Sequence, residues 1–126
     1  MPWRSGVLAC AVLLLGGCSS AHEADVEQVA RTFADPAEEP AARCDLLAPE
    51  TLAEFEESAG SPCAEAITQL PTDAGDVRSV EVWGRDAQVK LAGDTVFLTE
   101  TRAGWRVTAA ACRAQADAPY DCEVEG

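Results

Sequence analysis

Apolar positions along this chain follow two different periods. In the first half they recur as on a helix. Val26, Val29, Ala30 and Phe33 fall at i, i+3, i+4 and i+7, which makes one stripe. Asp25 and Gln28 form a capping-box pattern at the start of that helix. Asp35-Pro36 ends it, because the residue before a proline is pushed out of the helical region. A short helix over 41–47 carries Cys44 and Leu47. A third begins at Pro49, well suited to a first helical position, with Leu52, Phe55 and Ala59 inward. Gly60 stops it. Ser61 caps a fourth, whose stripe is Cys63, Ala66, Ile67 and Leu70. Residues 71–76 read as a loop.

The second half alternates apolar and polar with period two, so it reads as strands over 77–83, 86–92, 95–100 and 105–112. Short turns at Gly84-Arg85, Gly93-Asp94 and 101–104 join them into a meander. A two-residue turn at Gly93-Asp94 sets Leu91 opposite Val96 and Val89 opposite Leu98. The other turns set Val82 opposite Ala87, Leu98 opposite Val107 and Glu100 opposite Trp105. One face then carries Val80, Val82, Val89, Leu91, Val96, Leu98, Trp105 and Val107. The other carries Ser79, Glu81, Gln88, Lys90, Thr99, Arg106 and Thr108. A slip of one residue would reverse the two faces, so the agreement of three turns supports the meander. The expected fold class is α+β, with N-terminal helices packed on one face of a four-stranded antiparallel meander sheet.

The start of the chain supplies an address. A lone positive residue, Arg4, precedes an apolar stretch from Gly6 to Cys18. That stretch is shorter than the roughly 20 residues a membrane-spanning helix needs, and it has the layout of a signal peptide. Leu15-Gly16-Gly17-Cys18 resembles the lipobox of bacterial lipoproteins. The resemblance implies a diacylglyceryl group on the Cys18 thiol and a cut before that residue. Residues 1–17 then form a lipoprotein signal peptide, 18–24 a lipidated tether and 25–126 a single α+β domain. The six residues after Cys18, 19–24, span at most about 20 Å, so the domain sits close to the extracytoplasmic face of the cell membrane.

Charge and cysteines narrow the class. The formal charge is −13, and losing Arg4 with the leader makes the chain one unit more acidic. Nucleic-acid binding needs a basic footprint that is missing here. An anionic membrane surface repels so acidic a domain, which leaves the lipid as its anchor. Of the six cysteines, Cys10 lies in the leader and Cys18 takes the lipid. The remaining four, Cys44, Cys63, Cys112 and Cys122, read as two disulfides outside the cytoplasm. The local pairs Cys44–Cys63 and Cys112–Cys122 join neighbouring elements. Zinc does not fit the spacing, since no C-x₂₋₄-C pair occurs and His22, the sole histidine, falls in the tether.

Helices followed by a curled meander resemble the cystatin-like and nuclear-transport-factor-like α+β folds. Cys-Asp-Leu-Leu-Ala-Pro-Glu-Thr over 44–51 and the ending Asp-Cys-Glu-Val-Glu-Gly look like small actinobacterial lipoproteins of uncharacterised function. That resemblance covers most of the mature chain and offers no catalytic residues. Nuclear-transport-factor-like enzymes place an Asp at the mouth of a pocket between helices and sheet. By that likeness Asp45 and Glu100 are the candidate carboxylates. Glu100 lies on the core-facing parity beside Trp105, where desolvation would raise its pKa.

Other chemistry is sparse. Without a histidine in the domain there is no hydrolytic triad. Ser79 and Lys90 pair across two strands, but an exposed lysine stays protonated and is a poor base. Asp73 and Asp76 lack the ligand series of a calcium loop. No glycine-rich phosphate loop follows a strand. Trp83 and Phe97 fall on the polar face near Lys90 and Arg106, a candidate partner surface, with Phe97 between Lys90 and Thr108. A C-terminal segment folded back with Tyr120 over Phe97 accounts for the same apolar positions. The leading reading is a membrane-anchored, non-catalytic binding or accessory module without cofactor or metal. Its partner is an envelope protein or a small apolar ligand. The alternatives are a small-pocket isomerase or dehydratase using a buried carboxylate, and a structural cell-envelope protein.

Overall fold

The computed structural model describes residues 18–71 and 74–126, with side chains from Ala21 onward. The signal peptide expected at 1–17 and Asp73 lie outside the described residues. The elements run in the expected order, helices and then strands. They are α1 (Cys18–Ala34), α2 (Pro40–Cys44), α3 (Pro49–Ala59) and α4 (Cys63–Ala66), with a 3-10 turn at Ile67–Gln69. Strands β1 (Val77–Trp83), β2 (Asp86–Leu91), β3 (Thr95–Thr101), β4 (Gly104–Arg113) and β5 (Asp121–Glu125) follow. They form one antiparallel sheet in the order β1-β2-β3-β4-β5. The sheet has five strands rather than four. β5 adds to the edge of β4 and is tied there by the disulfide Cys112–Cys122, with Val124 fully buried.

α1 differs from expectation at its start. The capping pattern at Asp25 does not open the helix, which already includes residues 18–24. Those residues are therefore helical rather than an extended tether. Tertiary packing decides this, because His22 sits edge-on against Trp105 with ring centroids 6.0 Å apart. Further along, Val26, Ala30 and Phe33 are buried, as the stripe predicts. At the far end Arg43, 4% exposed, donates from Nε to the Phe33 carbonyl at 2.7 Å. It thereby satisfies one of the carbonyls that the last helical turn leaves open. Its guanidinium also lies 5.6 Å from the centroid of the Phe33 ring. Burial lowers its pKa from the ordinary arginine value, and Asp35 opposes that shift.

Pro49 starts α3 and Gly60 ends it in a left-handed conformation, φ 67°, where a side chain is disfavoured. The inward residues of α3 are Thr51 and Phe55, while Leu52 is half-buried and Ala59 exposed. The C-terminus sets this rotation: Thr51 Oγ1 donates to the Gly126 carbonyl. Ser61 does not cap α4. The Cys63 amide instead donates to Glu56 Oε2 of α3 at 2.8 Å. Cys44–Cys63 joins α2 to α4, as the spacing predicts. Closing a loop of that size contributes about 3 kcal/mol in the chain-entropy account.

The eight residues assigned to the apolar face of the meander are all buried or half-buried. Val26, Phe33, Ile67, Val89, Leu98 and Val107 belong to one hydrophobic cluster. The register of β1 with β2 and of β3 with β4 is largely as read, with Val82 opposite Ala87 and Leu98 opposite Val107. Between β2 and β3 it differs by two residues: Val89 faces Val96 and Ala87 faces Leu98. The cause is the loop. The Leu91 amide donates to the Asp94 carbonyl, and the Ala92 and Gly93 amides donate to the Asp76 and Ala74 carbonyls, so the chain reverses at Ala92-Gly93, one residue earlier than Gly93-Asp94. Gly75 makes this approach possible; a Cβ there would lie 2.8 Å from the Ala92 Cβ. A shift of two preserves which side chains face inward.

Candidate functional site

In a meander, alternate turns lie at the same end of the sheet. Gly84-Arg85 and Arg102-Ala103 therefore share one end. Register then builds a row across the outer face beside them: Trp83 faces Asp86, Asp86 faces Thr99, and Thr99 faces Arg106. Trp83 is 51% exposed, the one large hydrophobic so placed among the described residues. Hydrogen bonds tie the Gly84-Arg85 turn to β3. Arg85 Nη2 donates to the Glu100 carbonyl, and the Glu100 amide and Thr99 Oγ1 donate to the Arg85 carbonyl. Arg106 Nη1 donates to the Trp105 carbonyl.

Behind this row, α1 and the start of β4 enclose a cleft of about 290 Å³ lined by Asp25, Gln28, Val29, Leu46, Trp105 and Arg106. A larger open cleft, about 430 Å³, lies at the other end of α1 among Arg31, Asp35, Glu38, Asp76 and Leu91. The candidate carboxylates line neither. Glu100 is half-buried on β3 opposite Trp105, and Asp45 is exposed just after α2. Ser79 and Lys90 do pair across β1 and β2, with Lys90 exposed. Among the described residues no three His, Cys, Asp or Glu side chains converge as metal ligands.

The expected partner surface is divided. Trp83 and Arg106 share the row at the turn end. Lys90 lies in another row, between Ser79 and Thr95. Phe97 lies between Gln88 and Ala109 rather than Lys90 and Thr108, because the β2–β3 register moves by two and a bulge interrupts β3–β4. Tyr120 packs edge-on against Phe97 at 5.2 Å between ring centroids. Phe97→Ser should therefore lower stability by about 2 kcal/mol, since a half-covered aromatic contact is lost. A thermal melt checks this, and an unchanged melting temperature would mean that Tyr120 does not hold the ring.

Sequence reasoning missed three residues with defined work: His22, Arg43 and Asp94. His22 falls in the expected tether. Arg43 reads as a surface charge. Asp94 reads as a turn residue, yet its carboxylate accepts the amides of Thr95, Ala111 and Cys112 at 2.6, 3.0 and 2.8 Å. The two disulfides fit an oxidising compartment, and no helix among the described residues is long and apolar enough to cross a membrane. No protein-family model, curated protein or solved structure matches this chain.

Proposed function

We propose that this chain is an extracytoplasmic lipoprotein, anchored through Cys18, whose domain serves as a non-catalytic binding or accessory module. The observation that carries the reading is the continuity of α1. The residue that completes the lipobox pattern belongs to the same helix whose stripe enters the core. Anchor and domain then share one stiff element, with His22 bracing it against Trp105. Two disulfides and a short apolar leader suit the same location. The order of helices before an antiparallel sheet is in keeping with a cystatin-like or nuclear-transport-factor-like domain, its helices covering one face. Mass spectrometry of protein extracted from membranes of a lipoprotein-processing bacterium tests the anchor. The expected N-terminal peptide begins at Cys18 and carries the mass of a diacylglyceryl group. A free Cys18 thiol in the exported protein would overturn the reading.

A further inference from the structure

We propose that the turn end of the sheet, with Trp83, Arg85, Arg102 and Arg106, rests on the anionic headgroup layer of the bilayer that holds Cys18. This rests on the anchored reading above. Its first support is placement. The C-terminal part of α1 lies near Asp76 and Leu91, and its N-terminal part reaches Trp105. Cys18 is one helical turn beyond His22, a rise of about 6 Å. The helix therefore leaves the domain at the end where Gly84-Arg85 and Arg102-Ala103 turn. A lipid on Cys18 brings that end to the membrane and no other.

Its second support is charge. The chain is acidic, with 22 Asp and Glu against 9 Lys and Arg. Yet the two turns at this end contribute Arg85 and Arg102, both exposed, with Arg106 behind them. The strand acids there are Asp86 and Glu100, and α1 adds Glu23 and Asp25 on its exposed side. At the opposite end the loops 74–76, 92–94 and 114–120 carry Asp76, Asp94 and Asp117 and no cation, with Arg78, Lys90 and Arg113 against Asp121 and Glu123 on the strands behind them. An anionic surface repels the domain as a whole but orients it with the arginine turns inward. The third support is Trp83, half-exposed beside those turns. Tryptophan favours the headgroup level, where its ring is buried and its N–H finds a partner.

The mature chain carries its own probe. Trp83 is exposed and Trp105 is 5% exposed, and Trp3 leaves with the leader. The full lipidated protein is reconstituted in vesicles of phosphatidylcholine and brominated phosphatidylglycerol. Cosedimentation and N-terminal mass confirm the anchor independently. The expected result is quenching of the exposed tryptophan by the brominated lipid, lost in Trp83→Phe. Each arginine near an anionic surface contributes about fivefold, so Arg85→Glu with Arg102→Glu should shift the docked-to-undocked ratio at least 25-fold, about fivefold for each. A lipidated, cosedimenting protein whose Trp83 stays open to acrylamide and unquenched would overturn the docking while leaving the anchor intact. Protection of Trp83 in native membranes but not in pure lipid would assign the surface to a protein and likewise overturn it. Failure to lipidate or cosediment would instead sink the anchored reading on which the docking rests.

Discussion

Cys18→Ser should yield an uncut precursor that lacks lipid and washes out of the membrane fraction at alkaline pH. The argument is chemical first. A thiol sulfur carries the diacylglyceryl group, and the lipobox likeness implies that the peptide is cut only after that group is attached. Serine offers no sulfur, so both steps stop. The energetics follow. Each buried CH₂ contributes about 0.8 kcal/mol, so two acyl chains hold firmly while one holds marginally. With neither, the precursor retains only an apolar stretch from Gly6 to Cys18. That stretch is shorter than the roughly 20 residues needed to span the bilayer. The arginine turns and Trp83 add a weak, salt-sensitive contact that high ionic strength removes. Immunoblotting of fractions for size and location reads the result. Normal cutting with retention in washed membranes would mean that Cys18 is not the anchor.

The parts of the fold that could be read from the chain are those decided by periodicity. Val89, Val96, Leu98 and Val107 alternate with polar neighbours, and burial on one face follows from that alone. The disulfide partners were readable because Cys44 and Cys63 fall on predicted inward positions. β5 was not, since Asp121–Glu125 offers a single apolar residue, Val124, among acids. Its pairing comes from the cysteine at each strand and from the edge that β4 leaves open. The start of α1 was misread because a capping box is a local signal, whereas the ring of His22 meets Trp105 from far along the chain. Of the candidate surface, parity placed Trp83 and Arg106 on one face. Grouping them with Arg85 and Arg102 needed a further step, that alternate turns of a meander meet at one end.

The β2–β3 loop shows why turn chemistry alone misled. Gly93-Asp94 looks like a two-residue hairpin turn, yet the Asp94 carboxylate is engaged with β4. Its Oδ1 accepts the Thr95 and Cys112 amides and its Oδ2 accepts the Ala111 amide. Ala111 needs this help. It has φ 54°, a left-handed conformation that costs a non-glycine residue about 1 kcal/mol or more. The β4–β5 register runs unbroken past it, with Ala110 facing Val124 and Cys112 facing Cys122. Asp94 thus satisfies two β4 amides that lie past Phe97–Ala109, the last pair of β3 with β4. Hydrogen bonds to a charged acceptor contribute about 1.5–3 kcal/mol each, and part-buried amides left open cost more. Asp94→Ala should therefore destabilise the domain by about 3–5 kcal/mol. For a domain of this size that lowers the melting temperature by about 15 °C or more. Asp94→Asn separates charge from shape. With its oxygen in the Oδ1 place it keeps the Thr95 and Cys112 bonds without the charge, while its NH₂ faces the Ala111 amide donor, so it should recover only part of the loss. Calorimetric melts of the two variants, with the Cys112–Cys122 bridge intact, read the difference. Near wild-type stability for Asp94→Asn would show that the carboxylate is not what holds this part of β4.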